Sequence, residues 1–129
     1  MADTVSLLEA NQRLLDAIAT SNWQSYEDLC DTNLTAIEPE SEGLVVKGLG
    51  FHRFYFDLAS LKGKRQTTIC QPSVHLIGEV GVLGYIRLVQ CQDENGSVRT
   101  IANAETRVWQ WKNGVWKHIH FHRTPLDSK

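Results

Sequence analysis

The dipeptide Asn113-Gly114 lies between two runs that each carry tryptophan, VWQWK before it and VWKHIHFHR after it. Both residues accept positive φ, which a two-residue hairpin turn needs if its twist is to match that of right-handed strands. The two runs are therefore predicted to pair antiparallel, as strands over residues 98–111 and 115–123. Strands over 66–77 and 82–92 precede them, joined by turns at Gly78 to Gly81 and at 93–96. Consecutive strands this long in a small domain curl, which leaves a concave face to be filled.

The first half of the chain supplies the filling. Leu7, Leu8, Leu14, Leu15 and Ile18 recur at near-helical spacing. Ser21 and Asn22 break that run and cap a short second helix carrying Trp23, Tyr26, Leu29 and Cys30 on one side. Short strands are predicted at 34–38 and 44–46, separated by Pro39 and an Glu42-Gly43 turn. Phe51, Phe54, Tyr55 and Leu58 stand at i, i+3, i+4 and i+7, which predicts a helix over 48–58 with an aromatic inner face. Helices first and a strand meander afterwards give an α+β fold: a curved antiparallel sheet with the N-terminal helices packed on its concave face.

At 129 residues the chain suffices for one domain, 1–129, with a real core. Its 13 basic and 15 acidic residues nearly balance, so neither nucleic acid nor a membrane is expected as partner. No apolar run approaches the roughly 20 residues of a membrane span. The opening MADTVSLLEANQRLL lacks a basic n-region and a compact apolar core, which points to a cytoplasmic protein. Cys30, Cys70 and Cys91 are widely spaced and odd in number, as expected of free thiols serving as small buried hydrophobes.

Strand alternation brings three arginines to apolar faces. Arg87 shares its face with Leu83, Tyr85 and Val89. Arg107 shares one with Ile101, Glu105, Trp109 and Trp111, and Arg123 one with Val115, Ile119 and Phe121. If these faces line one concavity, three guanidinium groups converge there and need compensation, because guanidinium keeps its proton. Glu105 or the carboxylate of a bound small molecule would provide it. Alternatively, each stem covers the sheet and each head stays in water.

His118, His120 and His122 fall on the other face, together with Trp116. Neighbours at i and i+2 lie about 7 Å apart. A zinc ion needs all its ligands within about 2.3 Å, so three donors from one straight strand are strained and no metal is expected. No cofactor is implied, and G-x-S-x-G is absent.

The blocks LTAIEPE, FHRFYFDL, VHLIG, YIRL, ETRVW and GVWKHIHFHR occur in that order with sensible gaps. Together they resemble the association, or hub, domain of calcium/calmodulin-dependent protein kinase II, from about Leu7 to Arg123. The resemblance implies a nuclear transport factor 2-like, ketosteroid-isomerase-like (cystatin-like) cone. It implies homo-oligomers in which dimers close into stacked rings, as dodecamers or tetradecamers, with co-assembly of other hub-domain proteins a further option. It implies a pocket in which Arg87, Arg107 and Arg123 hold a small carboxylate ligand. His52 would stand at its side, and Tyr85 and Glu105 would line it. The HFHR strand would contribute to subunit contacts, making His118, His120 and His122 wall and interface residues.

Two departures from the family pattern stand out. Ala104 replaces an expected acidic neighbour of Glu105, which predicts one negative charge fewer near the arginines. VWQWKNG is more aromatic than the usual turn. The kinase motifs G-x-G-x-x-G, H-R-D-L-x-x-x-N and D-F-G are absent, as is a basic amphipathic calmodulin target. The expected function is a stand-alone hub-like oligomerisation module. The alternative is a small-molecule-binding protein or an isomerase- or dehydratase-like enzyme, with Glu38, Glu40 and His52 as the candidate bases.

Overall fold

The computed structural model describes residues 1–58 and 65–126. Helix α1 (Thr4–Ala19) starts at Asp3, whose side chain accepts from the Ser6 amide while Ser6 reaches back, a closed capping box. Its inward stripe is Leu7, Ala10, Asn11, Leu14, Leu15 and Ala17; Leu8, grouped with the core leucines from spacing, is 38% exposed. Asn22 caps α2 (Trp23–Leu29) through the Ser25 amide, as its position predicts. Cys30 belongs to the following strand rather than to this helix.

The strands are β1 (Cys30–Ile37), β2 (Val46–Lys47), β3 (Arg65–Ile77), β4 (Val80–Gln92), β5 (Val98–Lys112) and β6 (Val115–Leu126). They form one sheet in the order β2-β1-β6-β5-β4-β3. The sheet is mixed, not wholly antiparallel: β6 returns alongside β1 and pairs with it in parallel. The rest of the meander acts as the crossover that a parallel pair requires. Asn113 and Gly114 have φ of 51° and 81°, as the hairpin turn demands.

Helix α1 packs on one face of the sheet, and Leu7, Leu14, Leu83, Trp109, Trp116 and Phe121 belong to the core. Among the described residues no helix is long and apolar enough to cross a membrane. Cys30 is buried as expected, whereas Cys70 and Cys91 are only half-buried.

Helix α3 (Gly50–Asp57) departs from its predicted orientation. Phe54, Tyr55 and Leu58 are 62%, 42% and 52% exposed. The inward residues are His52 and Phe56, which meet Tyr26 and Trp23 of α2 and Phe121 of β6. Helical periodicity finds the apolar stripe, but a cavity wall can be built from the more polar side.

Candidate functional site

A cavity of about 510 Å³ opens where α1, α2 and α3 meet the inner sheet face. Arg87, Arg107, Arg123 and His52 all line it. Tyr85 and Glu105 do not line this cavity; they stand buried behind the arginines.

The Glu105 side chain is fully buried. It accepts from Tyr85 Oη at 2.8 Å, from Arg87 Nε at 2.8 Å, and from Nε and a terminal nitrogen of Arg107 at 3.2 Å each. Burial pushes its carboxyl up, but the charges of Arg107 and Arg87 and the Tyr85 hydrogen bond outweigh it. The net position is below the usual carboxylate range, so Glu105 is ionised. Tyr85 Oη also accepts from Arg107 Nε at 2.9 Å and from Asn11 Nδ2 at 3.2 Å, while Asn11 Oδ1 accepts from Trp109 Nε1 at 3.1 Å. Helix α1 is thereby tied to the floor of the site.

Arg107 is the most enclosed of the three cations, 1% exposed. Its guanidinium lies 4.5 Å from the Phe121 ring centre. One of its terminal nitrogens sits 3.4 Å from His118 Nε2. Arginine only donates, so His118 Nε2 accepts and the ring proton is on Nδ1, which faces Cys30 Sγ at 3.8 Å. Burial first, and then the Arg107 charge, holds His118 well below its ordinary pKa, so the ring is neutral. Burial likewise pushes the Cys30 thiol up to about 12, leaving it inert.

His118 thus corrects the alternation argument. Trp109 pairs with His118, but Val108 pairs with His120. Ile119 is the extra residue of a β-bulge, and side-chain parity reverses there. Trp116, His118 and Phe121 point inward, while Val115 is half exposed. The three histidines therefore do not share a face, and His118 is a core residue beneath Arg107. His120 instead bonds Thr35 Oγ1 at 2.7 Å. Ala104 is also corrected: it pairs with Ile86 and Thr124, on the face opposite Glu105, and lines an outer groove with His122. Its substitution removes no charge from the cavity.

Arg123 donates to Asn103 Oδ1 at 3.0 Å and to Glu40, with Glu38 4.0 Å away. His52 Nε2 lies 2.9 Å from Glu38 Oε2, and both residues are buried. Burial raises the Glu38 pKa, yet the His52 hydrogen bond and charge and the Arg123 charge bring it below the ordinary value. Among the described residues His52 Nδ1 is buried without a partner. Asn103, Tyr26 and Phe121 also belong to the site. Alternation placed Phe121 beside Arg123 and helical spacing placed Tyr26 on the apolar side of α2, but Asn103 carried no sequence signal.

The family model of the calcium/calmodulin-dependent protein kinase II association domain matches residues 3–127. The chain belongs to this association-domain family. It is 41% identical over 121 residues to the rabbit kinase type II subunit delta, covering 92% of this chain and 23% of that protein. Against the Caenorhabditis elegans kinase type II it is 41% identical over 128 residues, covering 98% and 18%. The chain therefore spans less than a quarter of these curated relatives. Among solved structures, the Chlamydomonas reinhardtii kinase II hub homology domain superposes with a TM-score of 0.89 at 40% identity, covering 95% of this chain and 98% of that one. The C. elegans kinase II association domain gives 0.87 at 41%, covering 92% of each. A nuclear transport factor 2-like protein from Salmonella enterica gives 0.74 at 20% identity, covering 94% and 89%, a likeness of fold alone. The association-domain blocks read from the sequence and the nuclear transport factor 2-like cone are both borne out.

Proposed function

We propose that residues 1–129 form one association domain that assembles with copies of itself into a closed ring of dimers, each subunit offering its arginine cavity to a small carboxylate. Family membership supports self-association. So do the exposed apolar residues Leu44, Val45, Phe54, Leu58 and Ile77, which a lone subunit leaves in water. Obligate interfaces are large and apolar, and cyclic closure limits the size of the assembly.

The carboxylate reading rests on one observation. Glu105 is shared between Arg87 and Arg107, and among the described residues Arg87 engages only its Nε. Its terminal nitrogens remain for a planar anion in the cavity, where a guanidinium fork holds a carboxylate best. Native mass across a dilution series tests the assembly; a clean monomer at micromolar concentration would sink it. Calorimetric titration with short hydroxy-carboxylates tests the ligand. Heat that survives unchanged in Arg87→Gln and Arg123→Gln would remove the arginine site.

The Glu38–His52 pair favours a second reading, an acid–base enzyme of isomerase or dehydratase type. Incubation with carboxylate, lactone and epoxide substrates checks it, with His52→Gln as control. Turnover at the buffer rate throughout excludes it.

A further inference from the structure

Cys91 sits at the outer end of the arginine face. It continues the inward series Leu83, Tyr85, Arg87 and Val89 of β4, and it lines both the main cavity and an adjoining one of about 250 Å³. In register it stands directly between two cations: Arg65 of β3 is its partner on one side and Arg99 of β5 on the other. Directly opposed residues have Cβ atoms about 5 Å apart. Both arginines are exposed, and among the described residues neither is in a salt bridge. Asp93 is the acid that shares the adjoining cavity, and its Oδ1 is turned to the Asn95 and Ser97 amides.

The other thiols differ. Cys30 is enclosed in the core. Cys70 falls on the opposite sheet face, since Thr67 lines the cavity and Ile69 packs on the core. His52 lines the same cavity and is 7% exposed, and among the described residues its Nδ1 has no hydrogen-bond partner.

We propose that Cys91 is a modification site for small anionic disulfides. Cys91 is half-buried and lines two cavities, and Arg65 and Arg99 beside it concentrate anions there. In the reaction the Cys91 thiolate attacks one sulfur of a carboxylate-bearing disulfide. A new S–S bond forms, the old one breaks, the second half leaves as a thiolate, and the Cys91 proton goes to solvent. The disulfide is the oxidant, so no further reagent is needed. The product places a carboxylate-bearing adduct at the cavity mouth.

The site shares the cavity with the carboxylate reading but does not depend on it. The test compares two reagents on the full chain: the dianionic 5,5′-dithiobis(2-nitrobenzoate) and the neutral 4,4′-dithiodipyridine. Rates at Cys91 and Cys70 are read separately in Cys70→Ser and Cys91→Ser proteins. The expected result is a ratio of anionic to neutral rate about tenfold higher at Cys91 than at Cys70, or about threefold per arginine. It should fall with salt and collapse in Arg65→Gln/Arg99→Gln, where taking the ratio within one protein cancels any change in thiolate fraction and an unchanged thermal melt by circular dichroism reports an intact fold. Equal ratios at the two cysteines, or a Cys91 preference that survives loss of both arginines, would overturn the proposal. Silence in carboxylate calorimetry with the preference intact would remove the ligand reading alone.

Discussion

At the scale of single residues the site is governed by the accounting of buried charge. Arg107 is buried against one carboxylate that it shares with Arg87. Arg107→Ala is expected to cost about 3–5 kcal/mol in chemical denaturation, because it removes half of a buried pair and leaves His118 Nε2 without its donor. For that reason Arg87 and Arg123 are better probes of binding. His118 sets a pH dependence. Its folded pKa is depressed by burial and by Arg107, while the unfolded value is about 6.5. The stability it contributes is full above that value and is lost as pH falls toward the folded pKa. Thermal unfolding should therefore weaken from about pH 6.5 downward, and His118→Phe, which keeps the stacking on Phe121, should flatten that limb. Glu105 has the same sign at lower pH: its folded pKa is lowered, so its contribution is full above the unfolded carboxylate value of about 4.3 and is lost as pH falls from there toward the folded pKa.

At the scale of elements, β6 decides which side chains meet the cavity. The bulge at Ile119 lets His118 and Phe121 both face inward, although their spacing is odd. Deleting Ile119 would restore strict alternation and send either the Trp116–His118 half or the Phe121–Arg123 half outward. The deletion protein is expected to lose cooperative unfolding by circular dichroism, since a one-residue slip moves every side chain beyond it to the other face. Strands β3 to β6 were legible because their turns and β-branched runs are local signals. The bulge was not, because KHIHFHR alternates without a break and only pairing with β5 shows the extra residue. The reversed α3 and the parallel β1–β6 pair were hidden for the same reason: each depends on residues far away in the chain.

At the scale of the whole molecule, cavity and assembly must be reconciled. A subunit with Phe54, Leu58 and Ile77 in water is the form expected of a piece of something larger. A ligand that binds only the folded cavity stabilises it by RT ln(1 + [L]/Kd). A short hydroxy-carboxylate at a hundredfold over its Kd should add about 2.7 kcal/mol, seen as a rise in unfolding midpoint. Arg87→Gln should show little of that rise. An equal rise in both proteins would place the ligand elsewhere.

By itself the sequence determined the four long strands, the Asn113-Gly114 turn, the first two helices with the Asn22 cap, and the family, whose resemblance singled out the three arginines. These follow from nearest-neighbour chemistry, strand period and ordered motifs. Only the tertiary structure decided that Glu105 and Tyr85 stand behind the arginines, that His118 belongs to the core, that Ala104 faces away, and that Cys91 lies between Arg65 and Arg99. Each is a question of which strand meets which in what register, and register is set by the packing of the whole sheet against α1 rather than by any local run of residues.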